Sequence, residues 1–309
     1  MHLDRRLIIL VFGAVLGLSL HGETARTEPS GGDGFSEPLI EAYDGPLEES
    51  LPIGESLDYK VFWSFIHVAN ATVDILPAKR VEGRPAYHIR MKTQTNGWAD
   101  AFYQVRDRID SYMTPDLRKT LFYSKIQKGT DKRNTRIIFD WQERLALRTD
   151  YGDPWMETIP LEDQVFDPLG ITYAFRMLDF EEGERLVLYS TDGKRLVPVD
   201  IEVKGVETVR TPLGKFECYK VEPDTKALSG VFKKAPNAKI YIWVSRDPPY
   251  VPVRLKSELH IGAFESKLSG IRGPAADQFL EQEVRGKYST RPGNHGERAL
   301  ASRSVRTGP

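Results

Sequence analysis

The stretch Gly54-Glu55-Ser56-Leu57-Asp58-Tyr59-Lys60-Val61-Phe62-Trp63-Ser64-Phe65, read with Ala69-Asn70-Ala71-Thr72-Val73-Asp74-Ile75, decides the fold. In the first segment Leu57, Tyr59, Val61, Trp63 and Phe65 recur at every second position, with Asp58, Lys60 and Ser64 between them. A period of two places the apolar set on one face of an extended chain and the polar set on the other. The second segment repeats the pattern, with Ala69, Ala71, Val73 and Ile75 on one side and Asn70, Thr72 and Asp74 on the other. Tyr87, Ile89 and Met91 then alternate with His88, Arg90 and Lys92.

Similar runs cover 103–113, 118–127, 134–140, 144–150, 184–191, 196–204, 206–211, 214–223, 238–246, 251–260 and 263–270. Thr191-Asp192-Gly193-Lys194 and Pro212-Leu213-Gly214 carry the turn chemistry that closes hairpins. Connections this short join antiparallel neighbours, because a parallel crossover needs roughly a dozen residues.

One segment breaks the alternation. Between Asp167 and Phe180, the residues Leu169, Ile171, Tyr173, Ala174, Phe175, Met177 and Leu178 cover most sides of a helical wheel. Asp167 suits the N-cap and Pro168 the first helical position. So apolar a helix needs burial on most of its circumference, and the apolar side of a curved sheet supplies it. The expected fold class is therefore mainly β: an antiparallel, strongly curved sheet or open barrel of about a dozen strands wrapping one apolar helix at 167–180.

Outside this body the chain changes character. Arg5 and Arg6 precede an uncharged apolar run from Leu7 to Leu20. At about 14 residues it is short for a membrane-spanning helix and suits the core of a signal peptide. Residues 1–25 thus read as an export signal, with an uncleaved anchor as the alternative, and the expected location is the periplasm or outer surface. Residues 26–50 read as a flexible leader containing Pro29-Ser30-Gly31-Gly32-Asp33-Gly34, residues 51–272 as the β domain, and 273–309 as a disordered basic tail.

Composition removes several function classes. Across 309 residues, 43 Lys and Arg against 44 Asp and Glu leave a formal charge of -1, so no global field exists to hold nucleic acid. The single Cys218 permits neither an internal disulfide nor a cysteine-rich zinc site.

Several motifs carry a family resemblance. Gly54-Glu55-Ser56-Leu57-Asp58-Tyr59 opens the set, and Asp167-Pro168-Leu169 follows with Tyr173 and Arg176. Then come Glu207, Thr211-Pro212-Leu213-Gly214-Lys215-Phe216-Glu217-Cys218, and Ile242-Trp243-Val244-Ser245-Arg246-Asp247 leading to Pro252-Val253. In this order, over roughly 51–270, they resemble the domain-of-unknown-function 3108 family of exported bacterial proteins. That resemblance implies no catalytic residues. More loosely, the family looks like curved-sheet envelope proteins that carry lipids or lipoproteins, a likeness of fold only.

A search for chemistry narrows the choice further. Outside the export segment and the tail, the histidines are His67, His88 and His260, and strand parity does not bring them together, so no metal site is expected. No nucleophile elbow, phosphate-binding loop or dinucleotide fingerprint is present, and no cofactor or catalytic residue is assigned. Asp167, Glu207 and Asp247 are the acids within the family-like motifs, and a hydrolytic carboxylate pair would draw on them.

Arg176 lies on the apolar helix, where it needs a partner; Asp179, Glu207 and Asp247 are the candidates. Its alternative role is to anchor an anionic headgroup. Arg176, Tyr173, Trp243 and Trp63 are the candidate ligand-binding residues, although Trp63 and Trp141 also sit at core parity. The function expected is a non-enzymatic exported protein that binds a lipid-like, amphipathic envelope ligand. The alternatives are an envelope- or polysaccharide-acting hydrolase with paired carboxylates and an assembly scaffold with an envelope protein partner.

Overall fold

The computed structural model describes residues 26–27, 36–47, 51–130, 132–151, 153, 155–224, 239–247, 250–259, 262–274, 276 and 279. The export segment expected at 1–25 and the tail beyond 279 lie outside the described residues.

Among the described residues, sixteen strands form one antiparallel sheet. In chain order they are β1 (Arg26–Thr27), β2 (Ile40–Ala42), β3 (Ser56–Trp63), β4 (Ile66–Val81), β5 (Arg84–Thr95), β6 (Arg106–Met113), β7 (Thr120–Lys128), β8 (Lys132–Asp140), β9 (Leu145–Asp150) and β10 (Met156–Pro160). They continue as β11 (Arg185–Thr191), β12 (Leu196–Thr211), β13 (Gly214–Pro223), β14 (Lys239–Ser245), β15 (Pro252–Leu259) and β16 (Gly262–Arg272). The path runs from β1 through β10 and back in sequence to β3, crosses to β16, then descends to β11, while β2 pairs with β4 beside that path. β3 and β16 join the two halves, with Tyr59 opposite Leu268 and Val61 opposite Ser266.

The sheet is open, with β1 and β11 as its edges. Side chains and backbone nevertheless tie the region of β9 and β10 to β11 and the turn after it. Phe166 pairs with Ser190 in an isolated parallel bridge. Arg148 Nη1 donates to the Asp192 carbonyl at 2.6 Å, and Lys194 meets Glu157 at 3.2 Å. Gly193, at φ +83°, makes this approach possible: a Cβ there would stand 2.6 Å from Arg148 Cβ.

Alternation in the sequence translates directly into burial. Leu57, Tyr59, Val61, Ala69, Ala71, Val73, Ile75, Tyr87, Ile89 and Met91 are all buried in one continuous core. Phe65 departs from its expected face. The strand ends at Trp63, Ser64 adopts φ +54°, and Phe65 turns outward at 87% exposure. The runs expected at 196–204 and 206–211 form a single strand, β12, whose register shifts between Val203 and Gly205, where Gly205 has φ +137°.

Two short helices are described, α1 (Gly97–Asp100) and α2 (Gly170–Phe175). α2 is shorter than the helix expected at 167–180. Its hydrogen bonding gives way to turns after Phe175, and Met177 is exposed. The N-cap position falls at Leu169, two residues past the Asp167 expected there, and makes no side-chain cap bond, while Asp167 Oδ1 accepts from the Leu169 and Gly170 amides at 2.8 and 2.9 Å. Gly170 lets α2 approach this carboxylate, because a Cβ there would meet Asp167 Oδ2 at 2.6 Å. Gly170, Ile171, Tyr173, Ala174 and Phe175 are buried.

Regular structure also begins inside the stretch expected as a leader. β2 pairs with β4, Glu37 reaches Arg136 at 2.6 Å, and Ile40 packs on a small second core of Val81, Ala86, Tyr112, Leu121 and Phe122. At the other end Phe279, within the expected tail, is buried and stacks on Phe216 at 4.9 Å between ring centroids.

Candidate functional site

The space between α2 and the sheet contains a cavity of about 170 Å³. Leu57 and Tyr59 of β3, Ile201 of β12, Val221 of β13 and Ile242 of β14 face it from the sheet, and Ile171, Tyr173 and Phe175 face it from α2. Among the described residues that line it there is no aspartate or glutamate, and the one charged residue is Arg254, whose guanidinium turns away over the Trp243 ring. The wall follows from the period-two pattern: Ile240, Ile242 and Val244 point in from β14, while Trp243 between them points away.

Most polar groups beside the cavity are satisfied by one another, whereas the buried Ser266 hydroxyl on its wall has no hydrogen-bond partner among the described residues. Arg176 donates to Glu55 through both terminal nitrogens, at 2.6 and 2.9 Å, and neither side chain has any solvent exposure. Burial works against the guanidinium charge, and the hydrogen bonds and field of Glu55 outweigh it, holding Arg176 protonated. The Arg176 guanidinium also lies over the Tyr173 ring at 5.0 Å. Tyr59 donates to the Pro252 carbonyl at 2.8 Å, and burial pushes its phenol well above the ordinary tyrosine range. Burial likewise raises Tyr173.

A second buried cluster fixes the start of α2. Asp167 Oδ2 accepts from Ser111 Oγ at 2.5 Å and from Thr120 Oγ1 at 2.8 Å, while Thr120 Oγ1 accepts from the Asp167 amide. Burial raises the Asp167 carboxyl despite these bonds. Four hydrogen bonds therefore hold a side chain that solvent does not reach.

The four candidate ligand-binding residues lie in four separate locations. Tyr173 is on the cavity wall. Arg176 is occupied by Glu55, not by Asp179, Glu207 or Asp247, because α2 ends against the start of β3. Trp243 lies on the outer side of the sheet, donating from Nε1 to Glu207 at 2.9 Å under the Arg254 guanidinium at 4.5 Å. Trp63 sits at the end of β3, stacked on Phe264 at 6.2 Å. Neither tryptophan is on the cavity wall.

The acids weighed for hydrolysis are equally dispersed. Asp167 is locked at α2, Glu207 holds Trp243 and Lys220 outside, and Asp247 lies beyond β14, its carbonyl accepting from Ser245. Among the described residues, no group of three or more His, Cys, Asp or Glu is placed to hold a metal ion.

Sequence reasoning missed two features. Glu55 stood in a quoted motif, yet nothing in its spacing marks it as the partner of a residue 121 positions away. The contribution of β12 to β14 to the cavity wall was also not legible, because alternation identifies an inward face but not which inward residues surround empty space.

Comparison with known proteins adds a family and a set of structural relatives. The family described as "Protein of unknown function (DUF3108)" matches residues 58–269. No curated protein matches the chain. Among solved structures, a beta-barrel-like DUF1849 protein from Brucella abortus is 9% identical, with 72% of this chain and 98% of that one covered, at a TM-score of 0.47. A protein with a YmcC-like fold from Bacteroides fragilis is 13% identical, with 71% and 96% covered, at 0.29. A candidate lipoprotein from Parabacteroides distasonis is 11% identical, with 72% and 98% covered, at 0.30.

Proposed function

This chain belongs to the DUF3108 family, and we propose that it is an exported, non-enzymatic binding protein that takes the apolar part of an amphipathic envelope ligand between α2 and the curved sheet. On this reading the sheet wraps α2, and the ligand occupies what α2 leaves unfilled. The observation that carries the proposal is the cavity of about 170 Å³ with an almost wholly apolar wall.

Its size selects the ligand class. An engineered apolar cavity of about 150 Å³ takes one benzene, whereas sites for drug-sized molecules span roughly 300–1,000 Å³. A slender apolar group such as an acyl chain segment fits that range, with its polar end left outside. Hydrolysis by paired carboxylates has less support, because the acids it would use are apart from the cavity and from each other. The Leu7–Leu20 run supports export, and no described helix is long and apolar enough to cross a membrane.

The test uses the full chain purified from an envelope fraction. Mass spectrometry of its organic extract is expected to recover a stoichiometric acyl-chain compound, and the stripped protein is expected to bind a fluorescent fatty acid. Val221→Phe narrows the wall and should weaken that probe by at least about tenfold, with the circular dichroism unchanged. An empty protein that also fails to bind the probe, or a variant that binds as well as the native chain, refutes the proposal.

A further inference from the structure

The connection from β3 to β4 and the segment after β5 leave the same edge of the sheet. Four large apolar side chains are exposed there: Phe65 at 87%, Phe102 at 65%, Trp98 at 51% and Ile66 at 37%. They belong to one place. Asn96, the N-cap of α1, donates from its backbone to the Val68 carbonyl at 3.0 Å and from its side chain to the His67 carbonyl at 2.7 Å. Those two bonds fasten α1 to the start of β4, beside Phe65 and Ile66. Trp98 and Phe102 then lie against each other with ring centroids 5.2 Å apart.

Scattered exposed hydrophobics need no explanation, but a joined group of aromatics marks an interaction surface. The fold invests in holding this one out. Ser64 takes a left-handed conformation to turn Phe65 outward, and Asp100 pairs with Arg106 at 2.5 Å to fix the segment that carries Trp98 and Phe102.

Charge identifies what the surface meets. The β7–β8 connection packs directly on this segment: Thr130 donates from its backbone to the Gln104 carbonyl at 2.8 Å, and Gly129 is so close that a Cβ would meet that oxygen. Its sequence, Lys128-Gly129-Thr130-Asp131-Lys132-Arg133, carries three cations against one acid, and Lys128, Lys132 and Arg133 are exposed. Protruding Trp and Phe beside a basic rim match the headgroup zone of an anionic bilayer, where aromatic rings settle at the interface and cations meet lipid phosphates.

We propose that this edge docks on an anionic phospholipid surface, with Phe65, Ile66, Trp98 and Phe102 entering the interface and the 128–133 connection supplying electrostatic attraction. The proposal goes beyond the cavity reading and does not depend on what the cavity holds. Each cation near such a surface contributes on the order of fivefold in affinity, so reversing three removes roughly a hundredfold or more at low salt.

The experiment uses the full chain with Cys218→Ser and Phe65→Cys labelled with an environment-sensitive fluorophore, so that the readout is local and independent of the apolar Leu7–Leu20 run. Vesicles of phosphatidylcholine alone are compared with vesicles containing one quarter phosphatidylglycerol. The expected results are a blue shift and quenching by lipid-borne quencher on the anionic vesicles. A label at exposed Val187 (Val187→Cys) should stay silent. The triple variant Lys128→Glu, Lys132→Glu, Arg133→Glu should lose the response at the same lipid concentration. Trp98→Ser with Phe102→Ser should weaken it by about tenfold. A label at position 65 that stays unchanged on anionic vesicles overturns the proposal, as does a response that the charge reversal leaves intact.

Discussion

Replacing Arg176 with Met tests how the inner end of the cavity is held together. Glu55 and Arg176 are fully buried and bonded through two contacts at 2.6 and 2.9 Å. Breaking a buried pair by removing one partner costs about 3–5 kcal/mol, because the other charge is left without compensation. Arg176→Met should therefore destabilise the chain by about 4 kcal/mol at pH 7, against a typical total of about 5–15 kcal/mol.

Urea unfolding followed by tryptophan fluorescence measures this. With a slope near 2.5 kcal/mol/M, the midpoint falls by roughly 1.5 M. The double variant Glu55→Met, Arg176→Met leaves no buried charge and should recover to within about 1–2 kcal/mol of the native chain. It also keeps the reasoning testable if the single variant fails to fold. A single variant that loses less than about 1 kcal/mol at pH 7, or a double variant less stable than either single one, refutes the argument.

Two further predictions come from groups outside the cavity. Burial works against the Asp110 carboxylate, but bonds from His88 at 2.7 Å and Arg90 at 2.6 Å hold its carboxyl below the usual range. A depressed acid stabilises the fold above its unfolded value of about 3.9 and loses that contribution as pH falls through the folded value. Asp110→Asn should therefore cost stability at pH 7 and progressively less below about pH 4 in urea titrations; an equal cost at both would refute the assignment. Burial pushes the Cys218 thiol up to about 12, so a disulfide reagent at pH 8 should label it only after unfolding, and rapid stoichiometric labelling of the native chain would contradict this.

The residues explain why some of this was legible in the sequence and some was not. Strands and hairpins could be read because alternation and turn chemistry are local, and Thr191-Asp192-Gly193-Lys194 closes β11 on β12 as its composition requires. Arg176 could be recognised as a residue in need of a partner, since a charge on an apolar helix is conspicuous. Glu55 could not be identified as that partner, because the contact closes only when α2 and β3 are brought together by the whole sheet. Phe65 was misplaced for a related reason. The apolar period runs through it unbroken, and only the turn at Ser64 removes it from the core face. Trp243 shows the converse case: an aromatic in a family-like motif is spent on Glu207 and Arg254 outside the sheet.

The Ser64 turn and the Glu55–Arg176 pair sit at opposite ends of one strand, and that placement links the two proposals. At the start of β3, a buried ion pair fixes α2 against the wall and is itself fully occupied. At its other end the chain exposes aromatics beside a basic connection. The cavity wall includes Pro223 and Ile240, where β13 ends and β14 begins, and those strand ends lie on the same edge as the Ser64 turn. An amphipathic ligand would then enter chain-first from that edge, with its headgroup left among the exposed cations. The two proposals make a joint demand: anionic vesicles should accelerate uptake of the fluorescent fatty acid by the native chain, and the 128–133 charge reversal should remove the acceleration while leaving the equilibrium affinity unchanged. Loss of affinity without loss of acceleration would separate the docking edge from the cavity and defeat the link between them.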